Sequence, residues 1–302
     1  MLLSSRSITL QMVDGEDQPM DHGQPNNRKN IPGKRHGARN QHRHVHFAKW
    51  LQKRFPESFQ QSKHDDTTNN TMVSLSNNNN NVNHNDTSSI DGMHILDVAG
   101  GKGELTARLS MCLQQKVVMV DPRPANVVDC FETLVLPKIP NKWQQRIQQQ
   151  LAINPDFVKE TLSQRVRQLV TTFDENSLHQ DDQLQQAVVH ASLLIGLHAD
   201  GATEAIVDAA LQHQKPFVVV PCCVFPNFFP HRHVVMEHGQ SSVPVRTHSQ
   251  FCHFLLHKHA GFRMDILPFD GRNVAIWWDG KTNEPPDDAD LPKKKNNDCH
   301  TE

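Results

Sequence analysis

Downstream of position 92 the apolar residues fall alternately into short continuous runs and helical stripes. A run at 95–98 (Ile95, Leu96, Val98) leads through glycines into 104–109, where Leu105, Ala107 and Leu109 have helix-compatible spacing. A second run, 116–120, ends at Asp121 and meets Pro122 and Pro124. Residues 126–163 read as helical material with a Gln-rich stretch, and 166–173 read as a third strand ending at Asp174. A helix at 182–190, a strand at 192–197, a helix at 203–213 and a β-branched strand at 217–220 follow. Residues 224–246 are irregular and rich in aromatics and histidine. Thr247 then caps a predicted helix over 250–259, which Gly261 ends. Two last strands, 262–269 and 272–278, are joined by Asp270-Gly271, a hairpin signal.

Strands that alternate with helices predict parallel pairing with helices on both faces. The pattern therefore predicts one α/β domain over 92–278, with a mostly parallel seven-stranded sheet and a C-terminal antiparallel hairpin. Upstream, Phe47, Trp50, Leu51 and Phe55 recur at i, i+3, i+4 and i+8, which predicts an amphipathic helix within 31–61 that docks on the core. Residues 1–30, the Asn-rich insert 62–91 and the tail 279–302 lack the apolar content to order themselves and read as disordered.

Composition narrows the classes. A formal charge of −2 and a pI near 6.8 over 302 residues give no general attraction to polyanions or membranes. The exception is local: Arg28, Lys29, Lys34, Arg35, Arg39, Arg43, Lys49, Lys53 and Arg54 form a basic stretch without an acid, a candidate contact for RNA. No apolar run reaches the length of a membrane helix, and the first ten residues are too polar for a secretory signal. Six cysteines without a scaffold pattern favour reduced thiols. An intracellular protein, cytoplasmic or nuclear, is the expectation; oligomeric state is left open.

The candidate chemistry sits at the strand ends. Asp97-Val98-Ala99-Gly100-Gly101-Lys102-Gly103 joins the first strand to its helix, where backbone amides can face a ligand without Cβ interference. A phosphate-cradling loop fails, because Gly103-Glu104 follows Lys102 where Ser or Thr is needed; a dinucleotide fingerprint fails at Thr106. An acid beside the turn suits instead a cationic ligand, such as the sulfonium and ammonium of S-adenosyl-L-methionine. At the ends of strands four and five stand His198, Asp200, Cys222 and Cys223. His198 reads either as a general base or as a hydrogen-bonded structural group. The cysteines read as packed thiols or as reactive groups. A zinc site drawn from Cys222, Cys223, His231, His233 and Cys252 matches no standard spacing, so no metal is assigned.

The segment Leu96 to Gly103 resembles motif I (D-x-G-x-G-x-G) of the class I S-adenosylmethionine-dependent methyltransferases, with Ala99 at the first glycine position. The resemblance spans about 43–278 and implies a Rossmann-like fold and S-adenosyl-L-methionine as cofactor. It implies a cofactor site of Asp97, Ala99, Gly100, Gly101, Gly103, Asp121 toward the ribose and Asp174 toward the adenine. Leu197-His198-Ala199-Asp200-Gly201-Ala202-Thr203-Glu204 is similar to the L-H-x-C-G-x-x-T-D segment of a subgroup that includes tRNA 2′-O-methyltransferases. Pro221-Cys222-Cys223 is similar to that subgroup's P-C-C. Asp200 stands where that subgroup has cysteine and, with one position fewer after the glycine, Glu204 stands where it has aspartate. The resemblance implies methyl transfer, with His198, Asp200 and Cys222 nearest the chemistry and RNA (tRNA) as acceptor. A protein or small-molecule acceptor, or a non-catalytic binding module, are the alternatives.

Overall fold

A computed structural model of the chain describes residues 42–59, 92–235, 242–281 and 283. The expected disorder of 1–30 and 62–91, most of the tail and the basic residues before position 42 lie outside these.

Alternation within the strands sorts the core into two faces. In β1 (His94–Val98), Leu96 and Val98 enter one apolar cluster, while Ile95 enters another on the opposite side. β1 pairs in parallel with β2 (Val117–Val120) and with β4 (Ala191–Leu197). β2 pairs in parallel with β3 (Val166–Leu169), and β4 with β5 (Phe217–Val220). Two antiparallel strands, β8 (Arg263–Ile266) and β9 (Val274–Trp278), complete the order β3-β2-β1-β4-β5-β9-β8. The chain thus has the Rossmann-like, mixed seven-stranded α/β fold that its pattern predicts.

Helices cover both faces. The amphipathic stripe does form α1 (Arg43–Arg54), and it docks. Phe47, Leu51 and Phe55 are buried with Ile95, Val218 and Trp277, beside α2 (Glu104–Cys112). Trp50 Nε1 and Arg54 Nη2 both donate to Asp265 on β8, at 3.2 and 2.7 Å, which fixes α1 on the sheet. The predicted helical stretch after β2 resolves into α3 (Val127–Cys130), which continues through a π-turn, then α4 (Asn141–Ile153) and α5 (Phe157–Arg165). The other face carries α7 (Asp182–His190), α8 (Thr203–Gln212) and α9 (His248–Leu256).

Four local expectations need correction. β3 stops at Leu169, and Asp174 is not a strand end; its carboxylate accepts the Ser177 amide at 2.9 Å and caps α6 (Glu175–Gln180). The irregular 224–246 stretch contains a small antiparallel pair, β6 (His233–Val235) and β7 (Ser242–Pro244). α9 begins with the expected Thr247, in a full capping box with Gln250, but it ends at Leu256. The Asp270-Gly271 turn sits in a wider connection, where Asn273 Nδ2 donates to the carbonyls of Leu267 and Phe269.

Candidate functional site

The carboxyl ends of β1, β2, β4 and β5 meet at one edge of the sheet, where an open α/β sheet places its ligands. Asp97 points beneath the glycine turn and is buried; Thr106 Oγ1, in the first turn of α2, donates to its Oδ2 at 2.6 Å. Burial, with the charge of Asp121 nearby, pushes the Asp97 carboxyl up to about 7 despite that bond. Asp121, also buried, accepts the Gly101 amide at 2.9 Å with Oδ2 and the Arg123 amide at 3.0 Å with Oδ1. The second strand therefore holds the turn that leaves the first.

Within the turn each small residue has its own physical reason. Ala99 adopts φ +57°, a left-handed conformation that favours glycine, so its methyl leaves the turn formed but strained. A Cβ on Gly100 would lie 2.7 Å from Met119 Cγ and 3.3 Å from Asp97 Oδ2, so only glycine fits the close approach. A Cβ on Gly101, at φ +60°, would meet nothing within 4 Å. The backbone at Gly101 thus borders open space, with two buried acids behind it. Gly103, at φ +81°, precedes the first turn of α2.

Glu104, in that first turn, ties α1 to the site. His44 Nδ1 lies 3.1 Å from Glu104 Oε2, and Lys138 Nζ donates to Oε1 at 2.9 Å. Burial alone would raise this carboxyl; the bonds and charges of His44 and Lys138 outweigh it and lower the carboxyl to about 2.

His198, at φ +59°, follows β4. Its Nε2 lies 2.8 Å from the Arg272 carbonyl, which can only accept, so Nε2 carries the proton and Nδ1 the lone pair. Burial holds its pKa below the ordinary histidine value, and the charges of Arg43 and His44 on α1 act in the same direction. Helix α1 and the β8–β9 connection therefore face the same edge as the glycine turn. Asp200, at φ +47°, accepts a hydrogen bond from Cys222 Sγ at 2.9 Å. Burial and that carboxylate push the Cys222 thiol up to about 12, so it is held protonated rather than poised as a nucleophile.

Other residues singled out in the sequence make contacts of their own. Asp174 lines a cleft of about 580 Å³ over α6, α7 and α8, together with Asp208, Gln212 and Phe229. His231 lies 3.2 Å from Glu204 Oε2, and Cys252 contacts the His248 ring at 3.7 Å, so neither joins Cys222. Sequence reasoning missed Arg232, only 1% exposed, whose Nε donates to Glu204 Oε2 at 2.7 Å, and Lys258, which donates to Oε1 at 2.8 Å. Glu204 was visible only as a deviation from a motif. Its partners lie far along the chain, and no local spacing announces them.

No protein-family model matches this chain, and no curated protein does. Among solved structures it is similar to the methyltransferase domain of a bacterial protein, CtHen1. That likeness has a TM-score of 0.31 and 11% identity, over 61% of this chain and 88% of that one.

Proposed function

We propose that this chain is an S-adenosylmethionine-dependent methyltransferase with RNA (tRNA) as its methyl acceptor. The observation that carries the first part is the pair of buried acids, Asp97 and Asp121, set around a glycine turn whose Gly101 faces open space. Two carboxylates behind the turn oppose a phosphate-bearing ligand and favour one that is cationic near the turn and carries hydroxyls. S-adenosylmethionine fits on both counts, and when bound it supplies an electrophilic methyl group on a sulfonium.

The chain's own residues would then divide the work. Asp97 offsets the ligand's positive charge from beneath the turn. Asp121 offers its carboxylate to the ribose hydroxyls, with the exposed Arg123 side chain free to move aside. Methyl transfer asks the protein mainly for in-line positioning and removal of one proton. His198 offers Nδ1 as the proton acceptor, because Nε2 is committed to the Arg272 carbonyl. Cys222 serves through Asp200 rather than as a nucleophile. The positive charge of Arg43 acts at His198, and a cation there favours an anionic acceptor such as an RNA backbone.

Calorimetry of the folded chain with S-adenosylmethionine and with its demethylated product tests the cofactor; no heat with either overturns it. Transfer of a labelled methyl group to total RNA tests the acceptor. Label that enters protein or small metabolites but not RNA overturns that part alone.

A further inference from the structure

We propose that Asp200, Cys222 and Cys223 form a binding site for a divalent, thiophilic cation of the zinc class, seated between the ends of β4 and β5. Among the described residues these form the group of three whose ligand atoms, one carboxylate oxygen and two sulfurs, lie within 4.8 Å of one another. Tetrahedral zinc with Zn–S near 2.3 Å and Zn–O near 2.1 Å needs S···S and S···O edges of about 3.6 to 3.8 Å. The Cys222–Asp200 contact, now 2.9 Å, would lengthen by less than about 1 Å to meet this.

The fold produces the juxtaposition. β4 and β5 run parallel with Leu197 beside Val220, so the residues just past each strand are neighbours. Consecutive residues in a strand point to opposite faces. Cys222 and Cys223 escape this because Pro221 ends β5, and the irregular backbone beyond it lets both sulfurs approach one point. The thiol proton on Asp200 marks the position that a cation would take, and both thiol protons would leave to solvent on binding.

Charge is balanced as well. Two thiolates and a carboxylate around a dication leave one net negative charge, and the positive charge of Arg272 lies near Cys223. Two sulfur ligands select against magnesium and calcium. Three protein ligands leave a fourth position open, at the same sheet edge as His198. The site does not depend on the methyltransferase reading, and its test needs no turnover.

The probe is cobalt(II), titrated into the full-length reduced chain, with the thiolate-to-metal absorption band as readout. One equivalent should bind with that band, and zinc should displace it. Cys222→Ser and Cys223→Ser should each cut the band by about half or more and weaken binding by more than the roughly 10- to 100-fold typical of second-shell losses, and the double variant should abolish the band. Asp200→Asn should keep a weaker band, and Cys252→Ser should leave the titration unchanged. Circular dichroism checks that each variant folds. The absence of a thiolate band in the wild type, or its persistence in the Cys222→Ser, Cys223→Ser double variant, overturns the site.

Discussion

The amide of Gly101 donates to Asp121 Oδ2 at 2.9 Å, so the glycine turn after the first strand is held by the end of the second. This locks the backbone beside the open space and gives neighbouring glycines opposite tasks. Gly100 is packed against Met119, itself buried, so Gly100→Ala must displace core and should cost about 1–3 kcal/mol in urea unfolding. Gly101→Ala meets no atom and pays only left-handed strain, about 1–2 kcal/mol, as Ala99 already does at φ +57°. Its methyl would point into the ligand's space, so calorimetry should find S-adenosylmethionine affinity lowered at least tenfold in a folded protein. If Gly101→Ala binds as the wild type does, the open space is not the ligand's.

Asp97 makes stability pH-dependent with an uncommon sign. Its carboxyl is raised from 3.8 to about 7 in the folded chain, so the folded state keeps a proton that the unfolded state loses. Its contribution is therefore best below about pH 4, declines as pH rises towards 7 and is level beyond. The full swing is on the order of 4 kcal/mol. Asp97→Asn should flatten this decline in urea midpoints taken between pH 4 and 7. A cationic ligand would stabilise the ionised form, so S-adenosylmethionine binding near pH 6 should release a proton. Calorimetry in two buffers of different ionisation enthalpy reads this directly; identical heats would remove Asp97 from the ligand's neighbourhood.

Glu204 and Arg232 predict an asymmetry. Arg232 is enclosed by Phe229 and Phe251, at 3.6 and 4.5 Å, with Glu204 as its acidic partner. Glu204 has Lys258 as well. Removal of one member of a buried pair typically costs about 3–5 kcal/mol, because the other charge is left uncompensated. Glu204→Gln strands a buried guanidinium and should fall in that range. Arg232→Met keeps the aromatic contacts and leaves Glu204 paired, so it should cost distinctly less. Equal losses in chemical denaturation would mean that stranding the Arg232 guanidinium carries no extra penalty.

Local pattern carried most of the fold. The apolar runs located the five parallel strands, the Phe47–Leu51 stripe located α1 with its buried face, and Thr247 located the start of α9 through a bond that spans three residues. What failed was short or polar. The three-residue strands β6 and β7 carry too little alternation to register, and Asp174 read as a strand terminus because an N-cap acid looks the same in sequence. At the candidate site the glycine turn and the acids Asp97 and Asp121 were legible, because strand ends can be read. The Asp200–Cys222 contact required knowing that β4 and β5 are adjacent in parallel register. The links from His44 to Glu104 and from Arg232 to Glu204 join residues that no periodicity relates.

The His44–Glu104 link makes acid stability a report on α1. Glu104 is lowered to about 2 from 4.5, although burial opposes the shift, and its side chain is 13% exposed, so screening is modest. A depressed carboxyl contributes its full stability above its unfolded pKa and loses it as pH falls through the folded value. The window is therefore about pH 4.5 down to 2, with a contribution of up to about 3 kcal/mol. Glu104→Gln should be less stable than the wild type at pH 7, and the gap should shrink below pH 4.5 and close as pH approaches 2. His44→Ala and Lys138→Ala should each remove part of the difference, since each supplies one of the two carboxylate bonds. Other carboxylates titrate alike in all variants, so the difference in urea midpoint isolates Glu104. A Glu104→Gln curve parallel to wild type from pH 7 to 3 would show that the His44–Glu104 link does not help to hold α1.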